Sequence, residues 1–188
     1  MVPEVFGNEA LNSRQLNLLY GEDTDGIIAT DIVATEMIHH VYRVSKSMDW
    51  MTTQLFPSAH KNHWYSYLPQ LVAGSGHLLY CTFDNSGFTV LLQKEGKLQL
   101  VQYFYFDTAE DIVYHLLNIC QRFEVNIHDA VLHLNGMIDV TDTNYTELYK
   151  YFSEPIFGEL PQFFNYNDEI KKYPAHYFSH LFELAACV

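Results

Sequence analysis

Residues 77–106 read HLLYCTFDNSGFTVLLQKEGKLQLVQYFYF. Residues 77–83 are a nearly continuous apolar run, the pattern of a strand covered on both faces. The run breaks at Asp84-Asn85-Ser86-Gly87 and resumes. It divides again at Lys94-Glu95-Gly96-Lys97, where β-rich flanks predict a second hairpin. Three strands joined by two tight turns make an antiparallel meander. In the first turn, Asn85 and Gly87 are expected to supply positive φ, and Asp84 to bond its own backbone.

Beyond the meander, helices and strands alternate. Residues 107–125 predict a helix, with Asp107 or Thr108 capping the first turn and Glu110 or Asp111 bonding back. Ile112, Val113, Leu116, Leu117, Cys120 and Phe123 form its apolar stripe, at a period near 3.6. Residues 130–136 predict a buried strand closing at a Gly turn. Residues 139–153 predict a helix capped near Thr141 or Asp142, with Leu148, Tyr149 and Phe152 inward. A short strand over 155–160 and a loop over 161–174 come next. The last element is an amphipathic helix over 176–187, with Tyr177, Phe178, Leu181, Phe182 and Ala185 inward.

Upstream, residues 1–34 are weakly patterned, and 21–26 (GEDTDG) form a turn-rich loop. Residues 36–44 predict a strand. Residues 45–56 predict a helix capped by Ser47, with Trp50, Met51, Leu55 and Phe56 on one face and Pro57 ending it. A short strand over 60–65 and a helix over 66–74, closed by Gly74, complete the segment.

The chain has 188 residues, 48% of them hydrophobic and 15% aromatic, enough to bury a sizeable core. Its formal charge is −13, and Lys and Arg form no stripe, which argues against a nucleic-acid partner. Cys81, Cys120 and Cys187 form no CxxC pattern and read as thiols of a reducing compartment. With no signal-like leader and no apolar stretch near the ~20 residues of a membrane span, the expectation is a cytoplasmic protein without membrane insertion.

From residue 77 the order is β-β-β-α-β-α-β-α, a mixed five-stranded sheet with helices on its faces. That is the ribonuclease H-like order shared by actin-like ATPase domains, an α/β fold. Residues 36–74 repeat the later half of this order without the meander. The expected organisation is a partial first actin-like domain over 1–75 and a second ribonuclease H-like domain over 76–188.

The segments FYFDTAEDIVYHLLNICQRF, LHLNGMI, LYKYF and HYFSHLFELAAC resemble a bacterial family of unknown function with the actin-like ATPase fold. The resemblance implies a fold rather than a reaction. It also implies a chain that starts midway through the first domain. Actin-like ATPases carry a D-x-G turn between the first two strands of each domain, where backbone N–H groups wrap a phosphate. Asp84, Asn85, Ser86 and Gly87 occupy that turn here as D-x-x-G, one residue longer. The adenosine segment uses paired glycines after the fourth strand, and here Asn135 is followed by Gly136 alone. Asp84, Asn85, Ser86, Gly87, Asn135 and Gly136 are therefore the candidate nucleotide contacts. The expectation is a non-catalytic module without cofactor that works through a protein partner or self-association. The alternative is an ATPase using ATP and Mg²⁺.

Other chemistries find less. A two-metal nuclease needs gathered carboxylates; Asp84, Glu110 and Asp111 are candidates, but the fourth strand ends in Asn135. Helix capping accounts for Glu110 and Asp111. His176 and His180 at i, i+4, with Glu183 a turn on, and the pairs His60/His63 and His39/His40 fall short of a zinc ligand set. Tyr103 and Tyr105 share one strand face, and Phe104 and Phe106 the other. That aromatic area is ordinary sheet burial or an interface.

Overall fold

The computed structural model describes residues 1–3, 9–33, 36–71 and 75–186. Gly74 and Cys187 lie outside them. The chain forms two compact units, Met1–Gln70 and Leu71–Val188.

The second unit is the ribonuclease H-like sheet. Its strands are β4 (His77–Phe83), β5 (Gly87–Lys94), β6 (Lys97–Tyr105), β7 (Ala130–Gly136) and β8 (Ile156–Phe157). The sheet order is β6-β5-β4-β7-β8, antiparallel through the meander and parallel from β4 to β7 to β8. Glu95 and Gly96 turn the second hairpin with φ of 53° and 74°, the left-handed pair that matches strand twist.

Period-two alternation sends Leu79, Cys81 and Phe83 of β4 to the same face as Leu132 and Leu134 of β7. That face packs on α4 (Ala109–Arg122) and α5 (Thr143–Leu148). Thr108 and Asp111 close the capping box of α4 reciprocally. Its buried residues are Ile112, Val113, Leu116, Ile119 and Cys120; Leu117 and Phe123 pack at the edge of the core. The opposite face carries Tyr80, His133 and Asn135 toward α6 (Ser179–Ala186). There the Tyr80 hydroxyl donates to Glu183 Oε2 at 2.7 Å. Burial pushes both thiols up, Cys81 far and Cys120 to about 11, so neither is a thiolate at neutral pH.

Several local expectations change. The helix expected over 139–153 narrows to α5, and Tyr149 is exposed while Leu148 and Phe152 are buried. The last helix starts at Ser179, not 176, after a 3₁₀ turn over Ala175–Tyr177. Leu181 and Ala185 consequently face solvent, and Ser179 is the buried residue.

The first unit contains β1 (Val2–Pro3), α1 (Glu9–Tyr20), β2 (Gly26–Val33), β3 (Ile38–Ser45), α2 (Lys46–Leu55) and α3 (Trp64–Leu71). Its sheet order is β1-β3-β2, antiparallel throughout. Gly21, at φ 80°, ends α1 in the left-handed position that favours glycine. Arg43 Nη2 donates to Gly21 O and to Asn17 Oδ1, both at 2.7 Å, and so ties α1 to β3. Ser45, not Ser47, caps α2 by accepting from Met48 N–H. The strand expected over 60–65 is absent: residues 60–63 are irregular and α3 begins at Trp64.

Candidate functional site

Of the expected nucleotide residues, the Asp84–Gly87 turn and Gly136 come side by side. Parallel pairing places Phe83 opposite Gly136, so the turn after β4 lies beside the turn after β7. Gly136 sits at φ 77°, and a Cβ there would collide with the Phe83 backbone. Met137 N–H donates to Phe83 O at 2.9 Å and locks the two turns together.

The first turn is closed on itself. Asp84 Oδ1 accepts from Ser86 N–H at 2.8 Å, Gly87 N–H at 2.9 Å, Tyr103 hydroxyl at 3.0 Å and Ser86 hydroxyl at 3.1 Å. Burial opposes the charge, but these donors outweigh it and hold the Asp84 carboxyl below its ordinary range. Contrary to expectation, neither Asn85 nor Gly87 adopts positive φ. Gly87 is needed for close approach instead: a Cβ would meet Phe104 O and the Tyr103 ring. Ser86 and Gly87 thus give their N–H groups to a side chain of the same turn.

Asn135 is fully buried. Its Oδ1 accepts from the Ser179 hydroxyl at 2.7 Å, and its Nδ2 reaches Cys81 O at 3.5 Å. That amide fastens α6 to β7 and is turned away from any ligand in solvent. His176 Nε2 contacts Ile138 O at 2.5 Å from the 3₁₀ turn, so His176 and His180 do not share a helix face. Among the described residues no group of three or more His, Cys, Asp or Glu side chains is placed to hold a metal ion.

The first unit holds an arrangement the sequence did not reveal. Asp31 on β2 stands directly opposite His40 on β3, with Tyr42 one diagonal step along the same face. Asp31 is 7% exposed. Its Oδ2 accepts from Ser66 hydroxyl and His63 N–H, each at 2.6 Å, and its Oδ1 from Tyr42 hydroxyl at 2.9 Å. His40 Nδ1 lies 2.9 Å from Ser66 Oγ. The carboxylate therefore anchors the start of α3, where helix N–H groups favour negative charge. The ring of His63 meets His40 edge-on at 4.6 Å, and Tyr42 and Tyr65 pack around them.

These rings line a cleft of about 240 Å³ together with Leu16, Tyr20, Val41 and Arg43. Burial, then His63 and the amino terminus, push His40 down to about 4 against the pull of Asp31. His63 is lowered by burial against Asp31, and Tyr42 is raised by burial and by its bond to Asp31. Both imidazoles are neutral at physiological pH.

The mixed sheet in order β6-β5-β4-β7-β8 is an actin-like ATPase fold. It is shared with a crystal structure from Bacteroides thetaiotaomicron, described as a protein with actin-like ATPase fold and unknown function. The superposition has a TM-score of 0.78 at 18% identity, and covers 100% of this chain and 69% of that one. The chain belongs to the family described as "Protein of unknown function (DUF3822)", whose profile matches residues 1–154. No curated protein matches significantly. No helix among the described residues is long and apolar enough to cross a membrane.

Proposed function

We propose that this chain is a non-catalytic actin-like-fold module that works through protein contacts, with a second copy of itself as the partner. One observation carries the non-catalytic half: Asp84 Oδ1 already accepts the N–H groups of Ser86 and Gly87. A phosphate would have to displace a carboxylate held by four donors, and would then face its charge. Calorimetry of the full chain with ATP and Mg²⁺ tests this. No heat of binding at micromolar concentration is expected, and micromolar affinity would overturn it.

The contact half is supported by α2, which buries none of its residues. Trp50, Leu55 and Phe56 are 67%, 64% and 61% exposed, with Met48 and Met51 beside them. Apolar area of this kind marks contact surfaces. The chain as a whole is strongly acidic, but the single carboxylate of α2, Asp49, is paired with Lys61 at 2.8 Å. Two copies can meet here without opposing bare carboxylates. Sedimentation velocity should show a dimer that Trp50→Glu weakens at least about tenfold, as loss of an aromatic anchor does. A monomer at every concentration would refute self-association.

The second reading is an ATP-binding protein whose cleft is completed by residues outside this chain. The adjacency of the Asp84 turn and Gly136 favours it. On that reading Asp84→Ala abolishes hydrolysis in a longer form of the protein, and unchanged turnover counts against it.

A further inference from the structure

We propose that the cleft between α1 and β3 in the first unit binds a small neutral molecule that carries an N–H or O–H beside a carbonyl, donating to His40 Nε2 and accepting from His63 Nε2.

The proton positions around Asp31 dictate this pairing. An ionised carboxylate only accepts, so the one hydroxyl proton of Ser66 goes to Asp31 Oδ2 at 2.6 Å. Ser66 Oγ then faces His40 Nδ1 at 2.9 Å as an acceptor, so the His40 proton sits on Nδ1. The neutral ring carries its lone pair on Nε2. His63 is fixed the other way. Its Nδ1 accepts from Tyr65 N–H at 3.1 Å, so its proton sits on Nε2. Among the described residues neither Nε2 has a partner.

Two histidines with opposite tautomers, ring centres 4.6 Å apart, both line this one cleft, so the pair has one acceptor and one donor nitrogen to offer a ligand there. Ordering a tautomer through a chain of carboxylate and hydroxyl is how binding sites fix which nitrogen meets the ligand. The aromatic walls from Tyr20, Tyr42 and Tyr65 suit a flat ring, and about 240 Å³ limits it to a molecule of one or two rings. The cation of the site is already used: Arg43 Nη2 serves Asn17 and Gly21. The depressed basicity of both imidazoles keeps them uncharged, which suits a neutral ligand better than an anion.

The probe is 2-pyridone, which has a ring N–H beside its carbonyl; N-methyl-2-pyridone lacks the donor. Nitrogen-15 spectra of the imidazoles of the full chain at neutral pH read both tautomer and binding. His40 should show protonated Nδ1 and His63 protonated Nε2. Millimolar 2-pyridone should shift the Nε2 signals of both rings and saturate. The N-methyl analogue should bind about tenfold more weakly, the effect of one lost hydrogen bond at 1.4 kcal/mol per decade. Ser66→Ala should release His40 to the other tautomer and weaken 2-pyridone by a similar factor. If that variant fails to fold, His63→Phe keeps the ring, loses the donor and should give the same loss. The reverse tautomers, no response to 2-pyridone, or equal response to its N-methyl analogue would each overturn the proposal.

Discussion

Asp84 and Tyr103 meet carboxylate to phenol at 3.0 Å across the meander, from the turn after β4 to the edge strand β6. The contact makes the turn a clamp between strands that are not neighbours in the sheet. It also places an aromatic ring over Gly87, which together with the Phe104 carbonyl leaves no room for a side chain there.

Asp84→Ala removes the acceptor for Ser86 N–H, Gly87 N–H and Tyr103. The site is exposed, so water replaces part of what is lost, and a cost of about 1–2 kcal/mol is expected in urea unfolding. Tyr103→Phe should cost less, about 0.5–1 kcal/mol. The folded Asp84 carboxyl is held below its ordinary range, so its contribution is present above that range and is lost as pH falls through the folded value. The two variants should therefore converge with wild type in strong acid.

Gly136→Ala tests the junction of the two turns. The residue needs φ of 77°, and its Cβ would run into the Phe83 backbone, which β-pairing on both sides prevents from moving. A loss of about 3 kcal/mol or more is expected. Denaturant melts of the variant would refute the account if the midpoint stayed within experimental scatter of wild type.

Mild acid should weaken the first unit through its buried histidines. His40 is held down to about 4 in the fold but regains its ordinary value near 6.5 when unfolded. Between those values the unfolded chain binds the extra proton, so stability falls as pH drops from about 6.5 to 4. The shift corresponds to roughly 3 kcal/mol at most. His63, also lowered, adds to the same slope, and Asp31 opposes it by attracting the proton. His40→Gln should flatten the dependence over that window; an unchanged slope in chemical unfolding across that pH range would contradict it.

The second unit was legible because its apolar runs are long and its turns carry the right residues. Residues 77–83 and Glu95-Gly96 announce a strand and a hairpin without help from tertiary context. The first unit was not, and the reason is chemical. β2 was missed because Asp31 occupies an inward position and breaks the alternation that marks a strand. The expected strand over 60–65 fails because His63 N–H and Ser66 hydroxyl are drawn to that same carboxylate, which starts α3 there. His40 and His63 were visible as chance histidine pairs. Only the register that sets Asp31 opposite His40 turns them into one cluster. The face of α2 was legible as apolar, but pattern alone cannot separate a core face from an exposed one. At the candidate nucleotide residues, spacing located Asp84 and Gly136 at adjacent strand ends, whereas the closed bonding of Asp84 depends on Tyr103, seventeen residues away from Ser86.

Asp31→Asn is the sharpest probe of the cluster. The substitution is nearly isosteric, so packing is unchanged, but it replaces an acceptor-only group with one that must place an NH₂ where donors already point. Ser66 hydroxyl and His63 N–H converge on Oδ2, and Tyr42 hydroxyl occupies Oδ1. The His63 N–H can only donate and so keeps the amide oxygen at the Oδ2 position, which leaves the NH₂ facing the Tyr42 hydroxyl and forces that hydroxyl to turn and accept, with an expected cost of about 1–3 kcal/mol. A neutral amide oxygen holds the Ser66 proton less firmly than a carboxylate does, so Ser66 can donate to His40 instead, which forces the His40 proton from Nδ1 to Nε2. Asp31→Asn should therefore change the His40 tautomer as well as the stability, and in a double-mutant cycle with Ser66→Ala the two losses should fall short of additive by about 1 kcal/mol or more. Additive losses with an unchanged His40 imidazole spectrum would show that Asp31 acts on α3 alone and has no hold over the histidine.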